Sequence, residues 1–232
     1  MIKEQRYKEI LKKLEINELL SLDFLSTDLN IPLTTLRRDL KELEHRHKVI
    51  RTHGGVQLNK SKLIVEDYLD NKINLNVQAK QQIAIKALKK NKPRTCIFLD
   101  SGSTTYYLAK ILDANLDLKI VTNSILNVQE LSKNNHQNIY LLGGKYQVVT
   151  SSILGYQAVN DLKNYAFDLS FIGINAVDDQ TNIYTTSDDH AQLKIQVIKN
   201  SNKSYGLVDQ SKKHSKSFYK FATNLELELI ED

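Results

Sequence analysis

Cysteine occurs once in the 232 residues, proline twice and glycine eight times, and each shortage closes off a class of protein. The single Cys96 lies in the apolar run Thr95-Cys96-Ile97-Phe98-Leu99, which excludes a disulfide within the chain and reads as a buried thiol. So little Pro and Gly, beside 41% hydrophobic residues, argues for a folded protein rather than a disordered or collagen-like one. No stretch reaches the roughly 18 apolar residues of a membrane span. The first six residues run straight into a charged helical pattern with no apolar signal region, so a cytoplasmic protein with no membrane contact is expected. The six His do not cluster with other metal ligands and no GxxxxGK[ST] pattern occurs, so neither a metal, a cofactor nor a nucleotide P-loop is expected.

What is present begins with size and charge. The length suits a small domain joined to a medium one, and a net charge of +5 is compatible with a polyanionic partner without requiring one. Tyr7, Ile10, Leu11 and Leu14 give helical period from Lys3 to Glu15. Ser21 is placed to cap a short helix from Leu22 to Leu29, and Asn30-Ile31-Pro32 interrupts the pattern. A third helix then runs from Leu33 to about His45. Leu33, Leu36, Leu40 and Leu43 form one apolar stripe on it, and Thr34, Thr35, Arg38 and Lys41 lie on the other side. Two helices joined by so short a turn predict a helix-turn-helix unit. The following segment, Lys48 to Leu58, has β-branched residues around Gly54-Gly55 and predicts a hairpin, the glycines favouring a tight turn. From Arg37 to Arg51 six Lys or Arg stand against three Asp or Glu, with His45, His47 and His53 in or beside the span, so a phosphate backbone would meet a basic edge.

The succession of two helices, Thr35-Leu36-Arg37-Arg38-Asp39-Leu40, Leu43-Glu44 and then Arg51-Thr52-His53-Gly54-Gly55 resembles the winged helix-turn-helix of the DeoR family of bacterial transcription regulators. The chain departs from the family pattern at Pro32, where a Ser-like cap is usual, and at Arg46-His47-Lys48, where Gly is common. Pro is acceptable at a helix start because its missing N–H would have been unpaired there. The reading implies that Thr34, Thr35 and Arg38 reach base edges in the major groove, while Arg37, Lys41, Arg51 and His53 contact the backbone of double-stranded operator DNA.

Residues 1–58 are thus assigned to DNA binding, and the Lys- and Asn-rich stretch 59–79 to a linker. Residues 80–232 form a larger α/β domain with a mainly parallel sheet. Apolar runs at Cys96 to Leu99, Lys119 to Thr122, Ile139 to Leu142, Leu169 to Ile174 and Tyr205 to Val208 alternate there with helical segments near Thr105 to Leu112, Ile125 to Lys133 and Ala191 to Asn200, the pattern of βαβ units. Ligands of such sheets sit beyond the carboxyl ends of the strands. The loops at those ends carry Asp100, Ser101, Gly102, Ser103, Thr104 and Thr105, then Thr122 and Asn123, Gly143 and Gly144, Asn175, and Asp209 to Lys212. In the first loop, hydroxyls and a Gly lead directly into a helix, an arrangement suited to a phosphate.

In order and spacing these loops resemble the sugar-phosphate sensor domain of DeoR-family regulators. Carried over, the resemblance implies that Ser101 to Thr104 hold a phosphate with Asp100 and Asn123 near the sugar. Gly143, Gly144, Lys194, Asp209 and Lys212 would complete the pocket. Where the family commonly has a Gly-rich segment, Asn175 to Asp179 follow the Phe-Ile-Gly strand. On local sequence alone Lys194 and Lys212 read as solvated lysines, and Asp188-Asp189-His190 as an exposed helix start.

The expectation is a repressor of sugar-metabolism genes, released by a phosphorylated sugar and acting as a homodimer or homotetramer on repeated half-sites. The alternative is a sugar-phosphate isomerase or deaminase, because the sensor is also similar to those folds. Asp100 or Asp209 would be its carboxylate, but no further acid–base grouping accompanies either.

Overall fold

The computed structural model describes residues 2–17, 19–45, 48–59, 63–64 and 66–232, and the chain divides into two compact units at Met1–Ser61 and Lys62–Asp232. In the first unit, helices α1 (Lys3–Ile16), α2 (Leu22–Asp28) and α3 (Leu33–His45) precede strands β1 (Val49–Thr52) and β2 (Gly55–Leu58). Their apolar stripes meet in one core of Tyr7, Ile10, Leu14, Leu25, Leu36, Leu40, Leu43, Val49 and Val56, which drives the assembly. The Ser21 hydroxyl accepts from the Phe24 N–H at 3.1 Å and caps α2 as its spacing foretold. Asn30 closes that helix in the left-handed region at φ 50°, a conformation Asn tolerates. Pro32 then stands before α3, and its carbonyl accepts the first helical bond from Leu36 N–H at 2.9 Å, so the missing cap hydroxyl leaves the entry intact.

β1 and β2 pair antiparallel from Val49↔Leu58 to Thr52↔Gly55, making the expected wing. The role of its glycine differs from expectation. Gly54 has open space around it, whereas a Cβ on Gly55 would overlap the backbone carbonyl of Leu20. The Leu20 segment exchanges two backbone bonds with Val56 (2.9 and 2.8 Å), so Gly55 is required by this close approach rather than by the turn. Arg46, His47 and the side chain of His45, counted in the basic edge, lie outside the described residues.

The second unit opens with β3 (Leu63–Ile64), α4 (Leu69–Ile73) and α5 (Val77–Leu88). Residues 66–79, read as linker, instead fold onto this unit. Leu69 is buried and its N–H donates to Val149 O at 2.9 Å, and the Tyr107 hydroxyl donates to Ile73 O at 3.2 Å. Within the stretch Lys72 pairs with Glu66, while Glu66 also accepts from Thr186 and Asn76 donates to Ser211 at 3.0 Å, contacts across the unit that a local reading cannot see.

There follow β4 (Cys96–Leu99), α6 (Ser103–Ile111), β5 (Lys119–Thr122), α7 (Ile125–Lys133), β6 (Ile139–Leu141), β7 (Lys145–Gln147), β8 (Ser152–Leu154), α8 (Tyr156–Leu162), β9 (Phe167–Gly173), β10 (Ala176–Val177), β11 (Asn182–Thr185), α9 (Asp188–Lys199), β12 (Ser201–Val208), β13 (Lys216–Ser217), β14 (Tyr219–Thr223) and β15 (Glu228–Glu231). Six strands form one sheet in the order β15-β12-β9-β4-β5-β6, all parallel. Alternate residues of β4 face opposite layers. Ile97 and Leu99 pack with Ile83 of α5, Leu108 of α6 and Leu131 of α7. Phe98 packs on the other side with Ala158 of α8 and Val197 of α9. A small antiparallel sheet, β10-β11-β14, the β7-β8 hairpin and the parallel pair β13-β3 complete the sheets of the unit among the described residues. The strand β15 was not expected, since Glu-Leu-Ile-Glu is too short and too charged to read as a sheet strand.

Candidate functional site

Two sites emerge, one in each unit. On α3 the leucines face inward, and Thr34, Arg37, Arg38 and Lys41 are exposed on the opposite face, with Thr35 half-buried at its margin. Among the described residues Arg37, Arg38 and Lys41 form no ion pair, so three cations project from one helix. Asp39, from the same charged run, is buried and takes two bonds from Arg6, at 2.5 Å from Nε and 3.1 Å from the terminal nitrogen. Its place three residues after Leu36 and one before Leu40 puts it on the inner face, a signal present in the helical spacing. The pair locks α1 to α3 and takes Asp39 away from the exposed face. On the wing, Arg51 is exposed and pairs with the equally exposed Glu44 at 3.5 Å, a contact weak enough to exchange for a phosphate. His53 is exposed in the turn.

In the second unit a pocket forms beyond the carboxyl ends of β4 and β9. Of the candidate residues, Ser101, Gly102, Ser103, Thr104, Asn175, Lys194 and Lys212 line it. Gly102 precedes α6 at φ 154° with no side-chain cap, and the first helical bond is Tyr106 N–H to Gly102 O at 3.0 Å. The preceding N–H groups at this helix start therefore carry its positive dipole end toward the pocket. The Thr104 Oγ1, in a residue 2% exposed, has no hydrogen-bond partner among the described residues. A buried hydroxyl without a partner costs about 1–3 kcal/mol, and a bound acceptor would relieve that cost.

The other candidates build the pocket without lining it. Asp100 is fully buried, pairs with Lys194 Nζ and accepts the Gly173 N–H at 3.0 Å; Lys194 also donates to Gly173 O at 2.9 Å. Asn123 receives the Ser101 N–H at 2.9 Å, and its amide donates to Ser101 Oγ at 3.3 Å. The Thr122 hydroxyl donates to Leu99 O at 2.5 Å, and that of Thr105 to Gly102 O at 2.9 Å. Asp209 lies beside a separate shallow polar surface and caps the turn after β12 through Ser211 N–H at 3.1 Å. Gly143 and Gly144, expected in the pocket, belong to the β6–β7 turn. A Cβ on Gly144, at φ 144°, would stand 2.7 Å from the Leu154 carbonyl, so close packing against β8 requires the glycine.

The pocket also contains residues that sequence reasoning missed. Glu66, Leu69 and Lys72 come from the supposed linker, and Thr150 and His190 join them, beside Gly173 and Ile174 from the strand end that carries Asn175. His190, read as exposed, is buried. Burial, helped by the Lys194 charge, pushes its imidazole down to about 4. Burial alone would raise the Glu66 carboxyl, but Lys72, His190 and the Thr186 hydroxyl outweigh it and hold the group at about 2. Lys212 is no solvated lysine: burial lowers its ammonium to about 8 against the opposing pull of Asp209. Beneath the pocket Lys80 donates to the carbonyls of Lys72 and Leu75, and its burial likewise lowers it to about 8, with Lys212 repulsion adding to the effect. Lys72, Lys194 and Lys212 thus line one pocket with an uncapped helix start and an orphaned hydroxyl.

An exposed basic helix with a wing, on a chain that also carries such a pocket, defines a DNA-binding transcription regulator with a sensor unit. Residues 6–62 match the model of the DeoR-like helix-turn-helix domain, and residues 75–232 match that of the DeoR C-terminal sensor domain. The chain belongs to the DeoR family of transcriptional regulators. It is 32% identical over 222 residues to an uncharacterised HTH-type transcriptional regulator, FruR, of Bacillus subtilis, covering 96% of this chain and 88% of that one. With the lactose phosphotransferase system repressor of Lactococcus lactis it shares 34% over 214 residues, covering 91% and 84%. Among solved structures, ribose 5-phosphate isomerase A of Methanocaldococcus jannaschii is similar at a TM-score of 0.43 and 24% identity, over 60% of this chain and 55% of that one. The relatives are named as regulators with a DNA-binding domain, so the enzyme alternative is not favoured. No described helix is long and apolar enough to cross a membrane.

Proposed function

We propose that the protein is a cytoplasmic repressor of sugar-metabolism genes that binds operator DNA as a homodimer or homotetramer and is released by a phosphorylated sugar. Support for the effector class rests on one observation above the rest. The unpartnered Thr104 hydroxyl stands at the uncapped start of α6, where Lys72, Lys194 and Lys212 converge. A phosphate dianion supplies acceptors for the hydroxyl and the helix N–H groups, and counter-charge for the lysines. Glu66 and Asn175, on the same wall, are then suited to the sugar hydroxyls. On the DNA side, Thr34, Thr35 and Arg38 read base edges while Arg37, Lys41, Arg51 and His53 hold phosphates, as their exposure permits. Release follows from linkage: the effector shifts the protein only by its differential affinity for the DNA-binding and DNA-free states.

The test is binding to the DNA upstream of the protein's own gene, repeated with a panel of phosphorylated sugars. At least one sugar phosphate is expected to weaken the complex, and its unphosphorylated sugar is not. Thr104→Val should keep DNA affinity and raise the effector concentration for release about tenfold, as expected for a lost hydrogen bond to a charged group. Absence of any shifted DNA, or release unchanged in Thr104→Val, would overturn the reading.

A further inference from the structure

A carboxylate on the wall of a pocket suited to an anion needs a reason, because like charges repel there. Each lysine lining the pocket is matched by an acid: Lys194 by Asp100, Lys212 by Asp209 at 3.8 Å, and Lys72 by Glu66. Asp100 and Asp209, 0% and 2% exposed, lie outside the lining, whereas Glu66 is part of it. Both Glu66 oxygens are occupied. Oε1 takes Lys72 Nζ, and Oε2 takes the Thr186 hydroxyl and the Asn175 amide, the latter at 3.4 Å. An entering anion therefore meets a like charge that already holds one of the pocket's cations.

The pairs differ in what it takes to open them. Lys194 stands on a helix of twelve residues and also donates to Gly173 O at 2.9 Å, and its departure would strand a fully buried carboxylate. The Glu66 and Lys72 side chains remain 18% and 23% exposed, so water can solvate both as they part. Glu66 is the hydrogen-bond partner of Lys72 Nζ among the described residues, which leaves two of the three ammonium donors open to solvent or a ligand. The backbone beneath is fixed: Lys80 holds the Lys72 carbonyl, and the Tyr107 hydroxyl holds that of Ile73 at 3.2 Å. Lys72 can change partners by rotation of its flexible stem with α4 in place.

We propose that Glu66 is a latch: its carboxylate holds Lys72 while the pocket is empty, the effector's phosphate takes the lysine over, and the freed Oε1 accepts from a hydroxyl of the sugar. The inference rests on the phosphorylated-sugar reading and adds a selection rule to it. Free phosphate takes Lys72 but leaves Glu66 unpaired beside it. An unphosphorylated sugar finds Glu66 already occupied. A ligand carrying both parts satisfies both partners, and the wrong ligand is rejected by the charge it strands.

Isothermal titration of the full chain with inorganic phosphate tests the latch. The wild type should bind phosphate weakly and Glu66→Gln about tenfold more tightly, because an amide gives up the lysine without stranding a charge. In a Lys72→Met background the same change should alter affinity by less than about twofold. A tenfold gain that persists there assigns the effect to plain repulsion and overturns the latch. Equal binding by wild type and Glu66→Gln overturns the latch alone, whereas binding by neither overturns the phosphorylated-sugar reading and the latch together. A crystal structure of the wild type with inorganic phosphate gives a second view that needs no variant. Lys72 Nζ should bond to the phosphate and lie beyond about 4 Å from Glu66; phosphate seated beside an intact Glu66–Lys72 pair overturns the proposal.

Discussion

The reading helix holds its cations outside a leucine core, whereas the sensor pocket holds its cations inside. On α3 the buried side is Leu36, Leu40 and Leu43, and Arg37, Arg38 and Lys41 stand in solvent with no packing duty. In the sensor, Lys80 and Lys194 are each 3% exposed, and Lys194 meets the fully buried Asp100. Binding and folding are therefore separable on the helix and fused in the pocket. An exposed arginine can be removed without touching the core, while the buried Lys194 is at once part of the pocket wall and the counter-charge of Asp100.

The hardest test of that contrast is Lys194→Met. It strands Asp100 in the interior, where loss of one partner of a buried pair costs about 3–5 kcal/mol. The sensor should unfold ~10 °C or more lower in a thermal melt, as well as losing effector response. Adding Asp100→Asn removes the stranded charge and should restore much of the melting temperature but not the response. A melt unchanged in the single variant would show the pair to be solvated and the contrast to be false.

The same contrast explains what the sequence could and could not disclose. The helix Leu33–His45 was legible almost to its ends, because a 3.6-residue period is local and the proposed DNA contacts are those the period leaves outside. The central strands were legible as apolar runs, since a sheet covered on both faces needs no alternation. The pocket was legible only where it is a loop at a strand end. Glu66 is held by Lys72 and Thr186, and Lys194 by Asp100. Thr186 is 120 positions from Glu66 and Lys194 is 94 from Asp100, so neither burial leaves a mark in its own neighbourhood, and Lys72 is drawn in only through Glu66. So Glu66 and Lys72 passed for linker and His190 for surface. Gly143 and Gly144 lie outside the pocket lining for a different reason: a Cβ on Gly144 would meet the Leu154 carbonyl, so that glycine marks close packing against β8.

Within α3 the two faces give the next comparison. Leu36→Ala leaves a cavity in the first unit and should cost about 2–5 kcal/mol, read as faster hydrogen exchange through α1 and α3. Arg38→Ala should alter stability by no more than about 0.5 kcal/mol yet weaken operator binding by about 1–3 kcal/mol if it reads a base. An equal loss on operator and on unrelated DNA would move Arg38 to the phosphate-contacting group with Arg37. A fall in stability matching that of Leu36→Ala would erase the distinction between the faces.

The smallest effect is the most diagnostic of the pocket's interior. Burial leaves Lys212 titrating at about 8, and a bound phosphate dianion would raise that value by favouring the ammonium. Above pH 8 the free pocket has lost this proton and must take it up again on binding. Effector affinity should therefore fall as pH rises beyond 8, by at most about tenfold per pH unit for one proton. Below about pH 6 a second loss begins as the phosphate itself becomes a monoanion, which places the optimum between the two. Isothermal titration at pH 7, 8 and 9 in buffers of different ionisation enthalpy measures the proton uptake directly. Lys212→Gln should flatten the slope while weakening binding at pH 7. A slope that persists in this variant would assign the proton to Lys80, which burial also holds at about 8. Lys80 donates to the backbone carbonyls of Lys72 and Leu75, so effector binding would then be coupled to the segment that brings Glu66 and Lys72 to the pocket.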